Sequence, residues 1–426
     1  MFRFISAALA CAVAWSLVQA RAAEPDVGAQ SRPVTLKEAV ARALDAAPAL
    51  KARQELLTAA EAQLRQSTAF PNPTIDVELE NAAGSGRFSN LDESELTVGV
   101  RQRIERGGKR DGRRSVAEAE RDAAAIAHER MRLDVVLEAR KAFIEVFAAK
   151  AALAVAETRF AAAREIETMA KRRVAAGRDP VTASLRAEIQ AAEARTAREQ
   201  AEHDLHNAKR TLAVLWGDPE AHFDVDGAAL DPTPPERGKG VDEGASLDVA
   251  AREAAARRAA ATVELEEANA GGDFTLGAGV RRFENGGDLA GVFSVSVPLT
   301  IFDTNRGNID RAAAESRAAQ LDVADARRRH AISLVAYEED AARARAELET
   351  VRRDLLPRAT SALAAARRGY AAGAFSYQEV AEARRILNEL QDREVAALRA
   401  VHIAHANLDR LTGRSPFAQS DQGTTP

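Results

Sequence analysis

Cysteine occurs once, at Cys11, in a chain of 426 residues. Disulfides therefore staple nothing here, and a fold of this size must rest on packing alone. Aromatic residues make up only 4% of the chain. A thick globular core needs bulky side chains, whereas the alanines that dominate the apolar fraction suit helices whose backbones run close together over long distances. No run of about 20 apolar residues follows position 23, which excludes a transmembrane helix beyond that point, so any membrane span must be β. Charge of one sign is lacking too: 59 Lys and Arg against 64 Asp and Glu leave −5, which suggests neither nucleic acid nor an anionic surface as partner. No Ser-His-Asp arrangement, paired-carboxylate site or glycine-rich cofactor fingerprint stands at usable spacing. Catalysis thus has no carrier, and no cofactor is called for.

What is present begins with an export signal. Arg3 precedes an apolar run over 4–18, and Ala20 and Ala22 flank Arg21 in an A-x-A pattern, which reads as a signal peptide over 1–23. Cys11 follows Ala8-Leu9-Ala10, a weak lipobox, but the apolar residues after it are unlike the polar start of a lipoprotein.

The rest of the chain repeats itself at a displacement of 196 positions. Gly177 answers to Gly373, Gly217 to Gly413 and Arg110 to Arg306. Between these landmarks lie two very long helical segments, 112–175 and 307–371, the second interrupted at Pro357. In the first, Leu133, Leu137, Ile144, Phe147, Ala151 and Val155 form a coiled-coil stripe. After each glycine a helix returns, over 180–216 and 376–411, so each half is a helical hairpin. Pro180 suits the first turn of one, and Ser376 with Glu379 three residues on suits the start of the other. Each half opens with a further helix, 35–67 and 246–270. The halves are 24–217 and 246–413, joined by a connector over 218–245 containing Asp231-Pro232-Thr233-Pro234-Pro235, with a tail over 414–426.

Ahead of each long helix sit two segments of strict alternation. Ile75, Val77 and Leu79 alternate with Asp76, Glu78 and Glu80; Leu96, Val98 and Val100 alternate with Thr97, Gly99 and Arg101. The second half repeats this with Phe274, Leu276, Ala278 and Val280, then Phe293, Val295 and Val297. Strands are expected over 74–80, 94–103, 273–283 and 290–299, each long enough to cross a bilayer when tilted. Taken singly, such segments fit an ordinary half-buried sheet. Beside an export signal and long helices they fit a membrane barrel, and four strands cannot close one. Open edges cannot face lipid, so several copies must pool their strands.

At this point the chain resembles the TolC-like outer-membrane efflux family over essentially its whole mature length. Thr35-Leu36-Lys37-Glu38-Ala39-Val40 with Ala47-Pro48-Ala49-Leu50 resembles that family's opening helix, and Phe70-Pro71-Asn72-Pro73 the approach to its first strand. Gln102-Arg103-Ile104-Glu105 with Gly107-Gly108-Lys109-Arg110 is similar to its heavy-metal branch, as is Val297-Pro298-Leu299 with Phe302-Asp303-Thr304-Asn305-Arg306-Gly307. The resemblance implies a mainly α fold with a membrane β part: a homotrimer whose twelve strands form a barrel continuous with a helical periplasmic tunnel. It implies a passive exit duct in the outer membrane of a Gram-negative bacterium, set in outer-membrane lipid. Its partners would be a periplasmic adaptor and an inner-membrane transporter of the resistance-nodulation-division type. Heavy-metal cations are the expected cargo, with organic drugs or a type I secreted protein as alternatives. A periplasmic adaptor or a structural coiled coil is a further alternative, opposed by the two hairpins and four amphipathic strands.

The resemblance further makes the turns Ala176-Gly177-Arg178 and Ala372-Gly373-Ala374 the surfaces that dock an adaptor. Glu379 and Glu382 would be acidic rings at the tunnel mouth, and Tyr370 resembles a gating tyrosine. The plainer reading makes the two acids helix-start residues. Their first-half counterparts, Ala183 and Arg186, carry no carboxylate. His203 with His206 and His402 with His405 stand at i, i+3, but a duct should not hold its cargo tightly and no cysteine supports either pair. The Gly107-Gly108-Lys109-Arg110 run lacks phosphate-loop spacing. Arg101, Arg103, Arg106, Lys109, Arg110, Arg113 and Arg114 form a basic cluster, free to meet anionic lipid heads or lumenal acids.

Overall fold

The structure is a computed structural model, and it describes residues 33–218, 223–226 and 246–413. The signal peptide with Cys11, most of the 218–245 connector and the 414–426 tail lie outside the described residues. The chain starts with two helices where the sequence suggested one, α1 (Leu36–Ala46) and α2 (Pro48–Ser67). Pro48 lacks the N–H that would continue α1, so the chain breaks at Ala47, whose ψ of 108° is not helical. Thr35 caps α1 by accepting from the Glu38 N–H at 3.3 Å.

Then follow β1 (Thr74–Glu80), β2 (Glu95–Ile104), α3 (Lys109–Ala175) and α4 (Val181–Val214). The second half answers with α5 (Leu247–Asn269), β3 (Phe274–Phe283), β4 (Leu289–Ser296) and α6 (Arg306–Thr350). It ends in a π turn at Val351–Leu355, α7 (Leu356–Ala372) and α8 (Tyr377–Leu411). At 1.5 Å per residue α3 alone is about 100 Å long. Pro357 is the reason for the π turn: it cannot donate to the Arg353 carbonyl, and the widened turn, in which the Leu356 N–H reaches the Val351 carbonyl, absorbs the lost bond. β4 stops at Ser296 rather than at 299, since Pro298 has no N–H to offer the ladder.

The four strands form one antiparallel sheet in the order β1-β2-β3-β4. Its register puts Ile75, Val100, Ala278 and Phe293 in one row and Val77, Val98, Val280 and Gly291 in the next. The alternating apolar positions of the four strands thus share a face that nothing covers, with Ile75 76% exposed and Phe293 85%. The opposite face is mainly polar, with Val292 and Phe283 as apolar exceptions. Arg101 there pairs with Asp76 and Glu78, and Arg281 with Glu80 and Glu95, the last two both at 2.7 Å.

Among the helices, α3 packs on α2, α4, α5 and α8, while α6 packs on α5 and α8 and α7 on α8. The order is therefore a layer rather than a ball, which is why the buried residues are so often alanine. Among the described residues one cluster forms at the tips, and the largest forms at mid-length, where Phe143, Ile144 and Val146 of α3 meet Leu212 of α4, Val34 and Val225. Val34 and Val225 form an isolated parallel bridge there. Arg410 ties the end of α8 to α3 through Asp134 (2.5 Å) and to α5 through Asp248 (3.0 Å).

Candidate gate at the hairpin tips

Both hairpins reverse on glycines in the left-handed region, Gly177 at φ 68° and Gly373 at φ 81°. Around the first, the Arg178 N–H bonds the Arg173 carbonyl and the Gly177 N–H bonds the Val174 carbonyl, satisfying the last free acceptors of α3. Ala176, Gly177, Arg178, Ala372, Gly373 and Ala374 are all exposed at the two tips.

Directly behind them Tyr370 is buried to 1% exposure, and its hydroxyl donates to Asp179 Oδ2 at 2.6 Å. Asp179 in turn accepts from Arg173 through both oxygens, at 2.9 and 3.0 Å. The same guanidinium donates to the Tyr370 carbonyl at 2.8 Å and lies 4.6 Å from the centre of the Tyr370 ring. Arg173 and Asp179 belong to the first hairpin and Tyr370 to the second, so the cluster joins the two tips. The Arg173 guanidinium holds the Asp179 carboxyl below the usual carboxylate range. Burial, with the Asp179 carboxylate beside it, pushes the Tyr370 phenol up to about 12, so it stays a donor at any physiological pH. Tyr377 stacks edge-on to Tyr370 and donates to Gln190 at 2.9 Å, a second link between the hairpins.

The two acids named from the sequence sit differently. Glu379 closes a capping box with Ser376, accepting from its backbone N–H at 2.6 Å. Glu382 is exposed and paired with Arg385 at 2.8 Å. Ala183, the first-half counterpart of Glu379, is buried in the tip core. Sequence reasoning missed Asp179 and Arg173; the only signal was an acid placed just before Pro180 in the turn.

At the other end of the long helices the junction motifs are structural. Gly107 and Gly108 take φ values of 73° and 79° leading into Lys109, and Asn305 takes 57° before Arg306 and Gly307 open α6. The Asn305 amide donates to the Glu266 carbonyl at 2.8 Å. The basic cluster is largely consumed internally. Lys109 pairs with Asp273 and Arg113 with Glu105, each at 2.7 Å, Arg114 with Glu118 at 2.8 Å, and Arg110 lies over the Phe70 ring. His203 and His206 are exposed on α4, whereas His402 is buried edge-on against Phe147. Among the described residues no group of three or more His, Cys, Asp or Glu side chains is gathered to hold a metal ion.

An open sheet, apolar on one face and polar on the other and carried on two long helical hairpins, defines the protomer of a membrane-embedded duct. Residues 39–218 and 244–414 match the family model described as outer membrane efflux protein, and the chain belongs to that family. It is thus an outer-membrane efflux channel protein with a large periplasmic helical part, and its family supplies channel components. The chain is 29% identical over 386 residues to the cobalt-zinc-cadmium resistance protein CzcC of Cupriavidus metallidurans, covering 90% of both. Its fold is similar to that of the outer membrane protein VceC of Vibrio cholerae, with a TM-score of 0.74 at 19% identity over 89% of this chain and 96% of that one. CusC, whose structures concern folding and transmembrane channel formation, gives 0.75 at 18% identity over 91% and 94%.

Proposed function

We propose that three copies of this chain form the exit duct of a tripartite pump for divalent heavy-metal cations. The supporting observation is that each protomer has two unpartnered sides that recur at every level. One side is β1 with α2 and α4, on which Leu56, Val181, Leu185 and Val214 are exposed; the other is β4 with α6 and α7, on which Leu321, Ile332 and Val335 are exposed. A head-to-tail contact between these sides repeats until it closes, and three copies bring twelve strands into one barrel. The apolar face then meets lipid, and the rows of Asp76, Glu78, Glu80 and Glu95 line the lumen. An adaptor docks on the exposed turns at Gly177 and Gly373, and an inner-membrane transporter supplies the energy.

The metal cargo is supported by the similarity to CzcC along nearly the whole chain. Disrupting the gene is expected to sensitise the bacterium to zinc, cobalt or cadmium, with restoration by the intact gene. Sensitivity to several antibiotics with unchanged metal tolerance would instead mark a drug duct.

The mouth of the tunnel combines the Arg173–Asp179–Tyr370 cluster as latch with Glu379 and Glu382 as rings of negative charge. Because Glu379 also caps α8, glutamine is the variant that separates the two roles: it keeps the accepting oxygen and removes the charge. Glu379→Gln with Glu382→Gln should lower the cation-over-anion permeability ratio in planar bilayers while leaving thermal stability within about 0.5 kcal/mol. An unchanged ratio removes both acids from the selectivity element.

A further inference from the structure

Behind the tips, α3, α4 and α8 line a half-open pocket of about 680 Å³. Alanines 156, 163, 194 and 197 make much of its wall, and the amides of Gln190 and Gln378 border it. One more lining residue, Arg384, is anomalous. It is only 8% exposed, yet among the described residues it has no hydrogen-bond acceptor and no ion-pair partner, whereas Arg159, Arg367 and Arg385 near it are all engaged. Arg367 holds Glu165, Arg385 holds Glu382 and Glu389, and Arg159 holds Asp392 together with the Asn388 carbonyl.

Each carboxylate those three arginines hold is thus taken. Arg384 is left with Arg367 repelling it, while the Tyr377 hydroxyl and an already engaged Glu165 attract it. Burial first, and Arg367 second, pull its pKa below the ordinary arginine value, although a guanidinium remains charged. A charge largely removed from water with no acceptor among the described side chains is costly to hold, and lining the pocket lets the Arg384 guanidinium meet an acceptor from outside the protomer.

We propose that this cavity is a carboxylate-binding site with Arg384 as its anchoring guanidinium. The planar fork of a guanidinium matches a carboxylate with two parallel hydrogen bonds. Gln190 accepts from the Tyr377 hydroxyl through its carbonyl oxygen, which leaves its amide N–H groups as further donors. Glu193 and Glu382 at the border repel ligands of higher negative charge and so favour a single carboxylate over phosphate or sulfate. The carboxylate comes either from a small free acid in the tunnel or from an acidic side chain of a docking protein.

The test compares the detergent-solubilised full-length protein with its Arg384→Met and Arg384→Lys variants. Methionine fills similar space without charge, so Arg384→Met should melt higher than wild type in chloride, where a merely structural arginine would make it melt lower. In acetate, against chloride at equal ionic strength, wild type should gain melting temperature and Arg384→Met should not; that pattern identifies a free acid. If acetate has no effect, purified adaptor should bind Arg384→Met about tenfold more weakly than wild type, with partial recovery in Arg384→Lys, which identifies a protein side chain. A lower melting temperature for Arg384→Met, or identical responses of wild type and variant in both arms, overturns the proposal. The acetate arm does not depend on the pump assignment, so a failure of the adaptor to bind wild type at all counts against that assignment and not against the cavity.

Discussion

Asp179→Ala is expected to open the channel: its single-channel conductance in planar bilayers should rise several-fold over wild type, with the trimer intact. Asp179 is the hub of the tip cluster, accepting from Tyr370 of one hairpin and from Arg173 of the other. Alanine leaves the Tyr370 hydroxyl without an acceptor in a place where the ring is fully buried, and it frees Arg173 to swing away from the Tyr370 carbonyl. If closed and open tips are two states, each 1.4 kcal/mol removed from the closed one shifts their ratio about tenfold. Tyr370→Phe should act in the same direction and more weakly, because the ring and the Arg173 bonds remain.

The same cluster fixes the sign of the pH response. Arg173 lowers the Asp179 pKa in the folded protein, so the latch is fully present above the unfolded pKa and is lost as pH falls through the folded value. Conductance should therefore stay flat from pH 8 to pH 5 and climb only below the ordinary aspartate value of about 3.9. A channel whose conductance responds neither to Asp179→Ala nor to acid has its closure elsewhere.

The second large effect concerns assembly. A proline in the middle of β1 should abolish the trimer, converting a heat-modifiable oligomer in detergent-extracted outer membranes into monomer or aggregate. Adjacent residues of an antiparallel strand direct their N–H groups to opposite sides, so of Asp76 and Val77 one points at β2 and the other at the free edge. Asp76→Pro and Val77→Pro made in parallel therefore include one change that spares the protomer's own ladder and removes only a donor to the next copy. In lipid an unpaired backbone group costs several kcal/mol, and water cannot replace the lost partner. Trimers of normal mobility from both variants would show that β1 is not an assembly edge.

The paired strands, the two hairpins and the turn at Gly373 were legible because each rests on short-range physics. Alternation of period two marks a one-sided strand, glycine marks a left-handed turn, and Pro357 marks an interrupted helix. The break at Ala47 shows the limit of pattern reading: the apolar spacing runs on through Pro48, while the backbone cannot. Glu379 shows another. Its spacing from Ser376 fits a capping box and a charged ring equally well, and the structure puts its oxygen 2.6 Å from the Ser376 N–H. The basic cluster near Lys109 looked available for lipid until folding brought Asp273, distant by 164 positions, against it.

By itself the sequence determined the repeat, the long helices and the one-sided strands, because propensity, periodicity and turn chemistry act between residues a few positions apart. Only the tertiary structure decided which charges are engaged. Asp179 meets Tyr370 across 191 positions and Arg384 joins no ion pair among the described residues, and both outcomes depend on how α3, α4, α7 and α8 lie against one another, which no local pattern encodes.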